Sequence, residues 1–174
     1  MTNNFEYYPT SGVTITSGSF ESFFSGEGTV SITRNNLNAG LGMTLSEDAD
    51  IDYPDIYKIS LKATHLTGTN QGYYDANNTW VSIPSSKVTK SGDLFVITDP
   101  QIPSGISRIF LGSDNNNNTF SEFAVYDSNN NNITLAAEPP EDTGLSTANM
   151  LGAYVGSEQV AKIYLGTEVV YENL

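Results

Sequence analysis

The sequence contains no cysteine. A disulfide framework and a thiolate metal site are therefore both excluded, and so is cysteine nucleophilic catalysis. Only one histidine is present, His65, which leaves no basis for a zinc site built from histidines and little for a Ser-His-Asp arrangement. Basic residues are few: 7 Lys and Arg stand against 20 Asp and Glu, giving a net charge of −13. Phosphate backbones and anionic lipid surfaces repel such a chain, so nucleic acid is not an expected partner. No apolar run approaches the roughly 20 residues a membrane helix needs, and "MTNNFEYYPTSG" has neither a basic segment nor an apolar core. The expectation is a chain without membrane insertion or signal peptide.

Helical periodicity is nearly absent, whereas short β-branched and aromatic runs recur between Gly, Asn, Asp, Ser and Pro clusters. This pattern predicts an all-β antiparallel sandwich. The expected strands are 13–16, 20–24, 29–34, 41–45, 56–63, 80–83, 93–98, 107–111, 120–126 and 133–135. In "DIYKISLKAT", Tyr57, Ile59, Leu61 and Ala63 alternate with Ile56, Lys58, Ser60 and Lys62, as expected of a strand with one wet face. "SGEG", "KSGD" and the runs "SDNNNN" and "DSNNNN" read as turns, the two asparagine runs as hairpin loops. "AAEPPEDTGLSTAN" breaks the pattern as a linker does. The resulting organisation is an N-terminal arm over 1–12, a β-sandwich over 13–135, a linker over 136–149 and a C-terminal β-hairpin arm over 150–174.

Three groups of side chains are candidate sites. If "SEDADIDYPD" is extended, Asp48, Asp50 and Asp52 share one side, as hard oxygen ligands for calcium do; a solvated edge or loop accounts for the same charges and is the preferred reading. In "DSNNNNITLAAE", Asp127, Asn129, Asn131 and Glu138 fall at positions 1, 3, 5 and 12 of an EF-hand-like loop, but Asn132 replaces the sixth-position glycine, and a hairpin loop explains the same residues. In the loop "TNQGYYDANNTWVSIP", Tyr73, Tyr74 and the single tryptophan, Trp80, lie among amides and an acid, the combination that stacks on and hydrogen-bonds to sugars; the competing reading places Trp80 in the core. His65 reads as a loop-edge histidine with a structural hydrogen bond. Paired carboxylates for glycoside hydrolysis are inevitable among twenty acids, and no motif organises them, so no enzyme and no cofactor are expected.

The stretch from "YKISLKATHL" to "SGISRIFLG", followed by "FAVYD" from Phe123, resembles the galactose-binding-like jelly rolls that include many carbohydrate-binding modules. The likeness covers roughly 13–135 and implies a sugar-binding role for Tyr73, Tyr74 and Trp80. The ending "KIYLGTEVVYEN" resembles a short C-terminal β motif of phage virion proteins. That resemblance implies a virion component, a capsid decoration or head-fibre protein, with other virion proteins and copies of itself as partners. A tail-borne adhesin that reads surface polysaccharide is the alternative. "ISRIFLGS" and "VAKIYLGT" also match position by position, as two solutions of one strand-then-turn pattern. At the C-terminus, a type II′ turn at Gly166-Thr167 is expected to pair Leu165 with Glu168, Tyr164 with Val169, Ile163 with Val170 and Lys162 with Tyr171. An isolated hairpin is marginal in water, so Ile163, Tyr164, Leu165, Val169, Val170 and Tyr171 are the expected assembly contacts.

Overall fold

The computed structural model describes residues 2–35 and 39–137 in full, and beyond them the backbone of 154–155, 158–159, 162–165 and 168–172. The chain divides into two compact units, Met1–Ala137 and Glu138–Leu174. The first is a sandwich of two antiparallel sheets. One holds five strands in the order β1 (Phe5–Tyr7), β4 (Leu41–Leu45), β10 (Arg108–Ser113), β6 (Leu66–Tyr74) and β7 (Trp80–Ser82). The other holds six, in the order β2 (Val13–Gly18), β3 (Val30–Arg34), β11 (Asn117–Tyr126), β5 (Lys58–Ala63), β9 (Leu94–Thr98) and β8 (Val88–Ser91).

The core forms where the inward faces meet. On β5 the alternation is as expected, with Ile59, Leu61 and Ala63 buried and Lys58, Ser60 and Lys62 turned outward. One residue upstream the alternation breaks: Ile56 is buried and Tyr57 exposed, because a 3₁₀ turn at Tyr53–Asp55 delivers the chain to the strand. Strand β11 contains a bulge between Ser121 and Ala124, with Glu122 at φ +53°. This extra residue rephases the strand, so Phe120 and Phe123 both reach the core across an odd spacing.

The segment Phe20–Phe24, expected as a strand, is a short helix, α1. Phe20, Phe23 and Phe24 follow i, i+3, i+4 spacing and all three are buried. Ser19 caps the helix, its Oγ accepting from the Ser22 amide at 3.1 Å. Phe23 packs against Phe20, Phe24, Phe120 and Phe123 with ring centroids 4.9 to 6.4 Å apart.

Further differences follow from long-range pairing. Residues 5–7, expected in an arm, pair with β4, and Phe5 is buried. Residues 133–135 form no strand; bridges Tyr126↔Asn132 and Asn3↔Leu135 hold them instead. The "SDNNNN" run is no hairpin loop, because β10 and β11 belong to different sheets and this run turns the corner between them. Its last residue, Asn118, is buried on β11, where its Oδ1 accepts from the Thr64 hydroxyl at 3.0 Å and the His65 amide at 3.1 Å. "DSNNNN" does make a hairpin-type turn. "KSGD" does too, with Gly92 at φ +62° between the register partners Ser91 and Leu94.

In the second unit, β12 (Tyr154–Val155) pairs with β13 (Glu158–Gln159), and β14 (Lys162–Leu165) pairs with β15 (Glu168–Glu172). Leu165↔Glu168 and Tyr164↔Val169 are in the expected register. Beyond them one extra residue, Val170, shifts the pairing, so Ile163 faces Tyr171 and Lys162 faces Glu172. Uninterrupted period-two alternation does not encode such a bulge. The Gly166-Thr167 turn and residues 138–149 of the expected linker lie outside the described residues.

Candidate functional site on the outer face of the five-stranded sheet

On β10, Ile109 and Leu111 point into the core, so Arg108 and Phe110 face outward. Antiparallel register then fixes their neighbours. Phe110 stands between Gly42 on β4 and Gly72 on β6, and Gly72 is opposite Ser82 on β7. Arg108 is opposite Tyr74, which is opposite Trp80. Two rows thus lie side by side, one of bare backbone flanking a single phenyl ring, the other of a guanidinium and two aromatic rings.

The glycines let these rings lie on the sheet. A Cβ at Gly72 would stand 2.6 Å from Trp80 Cζ2, so the indole occupies the space a side chain there would take. Trp80 is half-buried; its Nε1 donates to Ser82 Oγ at 2.9 Å, and its ring meets Tyr74 edge-on at 5.1 Å and Phe110 at 6.4 Å. The Arg108 guanidinium is held between two phenol rings, 3.8 Å from the Tyr74 centroid and 4.7 Å from that of Tyr8. Its Nη1 donates to the Tyr8 hydroxyl at 3.4 Å, and among the described residues it forms no ion pair.

Beside this clamp opens a cleft of about 350 Å³. The segment from Tyr8 to Ser11 forms one wall, the outward side chains of β10 and β6 another, and Arg34 of β3 reaches it from the six-stranded sheet. Arg34 and Arg108 are the chain's two arginines, and among the described residues no Asp or Glu lines the cleft. A larger cavity of about 810 Å³ between β1 and α1 has the opposite character, with Glu6 and Glu21 on its walls.

The residues singled out in the sequence are thereby placed. Tyr73 and Tyr74 belong to β6, not to a loop, and neighbouring positions on a strand face opposite ways: Tyr73 packs against the core cluster while Tyr74 joins Trp80 outside. The loop is only Asp75–Thr79, where Asp75 Oδ1 accepts from the amides of Asn77 at 2.9 Å and Thr79 at 2.7 Å, with Asn78 at φ +60°. The Asp127 turn repeats it: Oδ1 accepts from the amides of Asn129 at 2.9 Å and Asn131 at 2.8 Å, with Asn130 at φ +64°. This is a three-residue hairpin loop closed by a left-handed asparagine, written twice as Asp-x-Asn-Asn.

In that turn the Asp127 carboxylate serves as a hydrogen-bond acceptor, and the side-chain and backbone N–H groups of Asn131 hold its pKa below the ordinary value. Glu138 of the EF-hand-like spacing lies outside the described residues. Residues 46–52 form turns rather than an extended strand, so Asp48, Asp50 and Asp52 are not aligned by strand alternation. Asp50 accepts from the Ala137 amide at 2.8 Å, and Asp52 accepts from Ser104 at 2.6 Å and caps the 3₁₀ turn through the Tyr53 amide at 2.8 Å. No three acidic or histidine side chains among the described residues come together as a metal site. His65 stands where β5 meets β6, its Nδ1 3.6 Å from Asp114 Oδ1. Among the described residues no helix is long and apolar enough to cross a membrane.

Arg108, Phe110 and Tyr8 are the site residues the sequence did not announce. "ISRIFLGS" reads as a strand, and only the pairing of β10 with β6 brings its outward residues beside the tyrosine and the tryptophan. Compared with known proteins, the chain matches no family model, no curated protein and no solved structure.

Proposed function

We propose that the chain is a non-enzymatic structural protein of a phage virion, a capsid decoration or head-fibre component that binds by surface complementarity. The observation that supports this reading is the division of the chain. Every strand of the two large sheets comes from residues 1–137, and a separate unit follows with strand pairs of its own. Two-stranded ribbons are marginal in water and gain stability by packing on another surface. The last of them carries the "KIYLG" and "VVYE" runs that resemble the virion motif. Residues 150–174 are then the segment that docks on neighbouring virion subunits, including other copies of the chain. Quantitative mass spectrometry of purified particles tests the proposal. Many copies per particle, lost when residues 150–174 are deleted, are expected; absence from particles contradicts it.

A second reading, a tail-borne adhesin for surface polysaccharide, is favoured by one observation: Tyr74, Trp80 and Phe110 form a partly exposed aromatic face laid over glycines. Flat ring faces beside hydroxyl and amide groups suit sugar rings. A glycan-binding screen with the full chain tests it, with saturable binding abolished by Trp80→Ala as the expected result. Unaltered binding by that variant removes the aromatic face from the reading.

A further inference from the structure

We infer that the cleft beside Arg108 binds the carboxylate of an acidic sugar, with Arg108 supplying positive charge and the Tyr74–Trp80 face supplying the stacking surface. This rests on the glycan-binding reading above and names the chemistry of its ligand.

The first argument is charge. The chain carries 20 acidic and 7 basic residues, yet Arg108 stands on a cleft whose wall, among the described residues, holds no Asp or Glu. Over most of its surface such a chain repels an anion, and at this cleft it attracts one. The second is preorganisation. A guanidinium stacked between the rings of Tyr8 and Tyr74 loses little side-chain freedom on binding. It offers a fork of donors whose geometry matches a carboxylate, and among the described residues one of them is engaged, with the Tyr8 hydroxyl at 3.4 Å. The third is the company Arg108 keeps. The cleft's volume of about 350 Å³ lies within the range of small-ligand sites, about 300–1,000 Å³. Thr10 and Ser11 line its wall, and the Tyr74 ring that holds Arg108 also meets Trp80. A uronic or sialic acid residue presents a carboxylate, several hydroxyls and an apolar ring face together, which is the set of groups this arrangement matches.

Trp80 is the only tryptophan in the chain, so its fluorescence reports directly on the site. The test titrates the full chain with oligogalacturonate, oligosialate and hyaluronan oligosaccharides, each beside its uncharged methyl ester. The expected result is a saturable change in Trp80 emission with at least one acid. The ester should bind about tenfold more weakly or worse, and Arg108→Gln should show the same loss towards the acid. Arg108→Lys should recover only part of the affinity, because an ammonium keeps the charge without the planar fork. Should Arg108→Gln shift the melting temperature, the ester comparison on the unaltered chain decides alone. Equal binding of acid and ester overturns the carboxylate inference and leaves glycan binding standing. Binding of neutral oligosaccharides alone does the same, and failure of every oligosaccharide to bind overturns both.

Discussion

The guanidinium carbon of Arg108 lies 3.8 Å from the centroid of the Tyr74 ring, and the two residues are register partners across β10 and β6. Tyr74 also meets Trp80 edge-on at 5.1 Å, so one ring supports both the charge and the indole. Tyr74→Ala removes a cation–π contact of about 0.5–1 kcal/mol and an aromatic pair of about 0.5–1.5 kcal/mol. A loss of about 1–2 kcal/mol in chemical denaturation is expected, with red-shifted Trp80 emission. An unchanged emission maximum contradicts the arrangement.

Gly72 has no room for a side chain, because Trp80 Cζ2 and the Val81 carbonyl oxygen already occupy the place of its Cβ. Gly72→Ala forces the indole off the sheet and strains the β6–β7 pairing, at a cost of about 1–3 kcal/mol typical of overpacking. Trp80→Ala, by contrast, truncates a half-buried ring on the outer face and should cost less than the roughly 3–5 kcal/mol of a core tryptophan. Thermal melts of the two variants check both values.

What the sequence showed and what it hid follow from the range of the interactions involved. On β5, alternation in six consecutive residues is a local signal, and the strand was legible. Phe20–Phe24 was ambiguous because five apolar-rich residues suit either period; the helix follows from Ser19 as cap and from the i, i+3, i+4 spacing of three phenylalanines. Strand β6 was hidden because Thr67, Gly68, Thr69 and Asn70 resemble a loop, and pairing with β10 decides the matter. Of the candidate site, Tyr74 and Trp80 were visible as aromatics among amides. Arg108 and Phe110 were not, since their part depends on partners more than thirty residues away.

Glu122 sits at φ +53° in the β11 bulge, a conformation glycine adopts freely and other residues adopt at a cost of about 1–2 kcal/mol. Its side chain accepts from Lys62 Nζ at 2.6 Å, but this pair is solvent-exposed and contributes little. Glu122→Gly is therefore expected to raise stability by about 0.5–1 kcal/mol, measured as a shift of the denaturation midpoint. A clear loss of stability shows that the ion pair outweighs the backbone strain.

Three aspartates receive hydrogen bonds that hold their pKa below the ordinary carboxylate value. The strongest donors are the Ala137 amide for Asp50, the Ser104 hydroxyl for Asp52 and the Asn131 side chain for Asp127. These groups bind a proton less readily in the folded chain than in the unfolded one. Their stabilisation is complete above about pH 4 and is lost as pH falls through the lowered folded values. Relief of the −13 net charge acts in the opposite sense over the same range, so the measurement is a difference between variants. Asp127→Asn should melt below the unaltered chain at pH 7, and the gap should close in acid. A gap that does not change with pH contradicts the assignment.

The measurement that tests the account most directly is truncation after Ala137, which keeps the Ala137 amide bonded to Asp50. Sedimentation and near-ultraviolet circular dichroism of the 1–137 fragment are compared with those of the full chain. The account predicts a folded, monomeric fragment with an unchanged aromatic spectrum that no longer joins the assembly the full chain enters. A fragment that unfolds, or one that assembles as the full chain does, contradicts it, because the C-terminal hairpins would then belong to the chain's own core or have no part in docking.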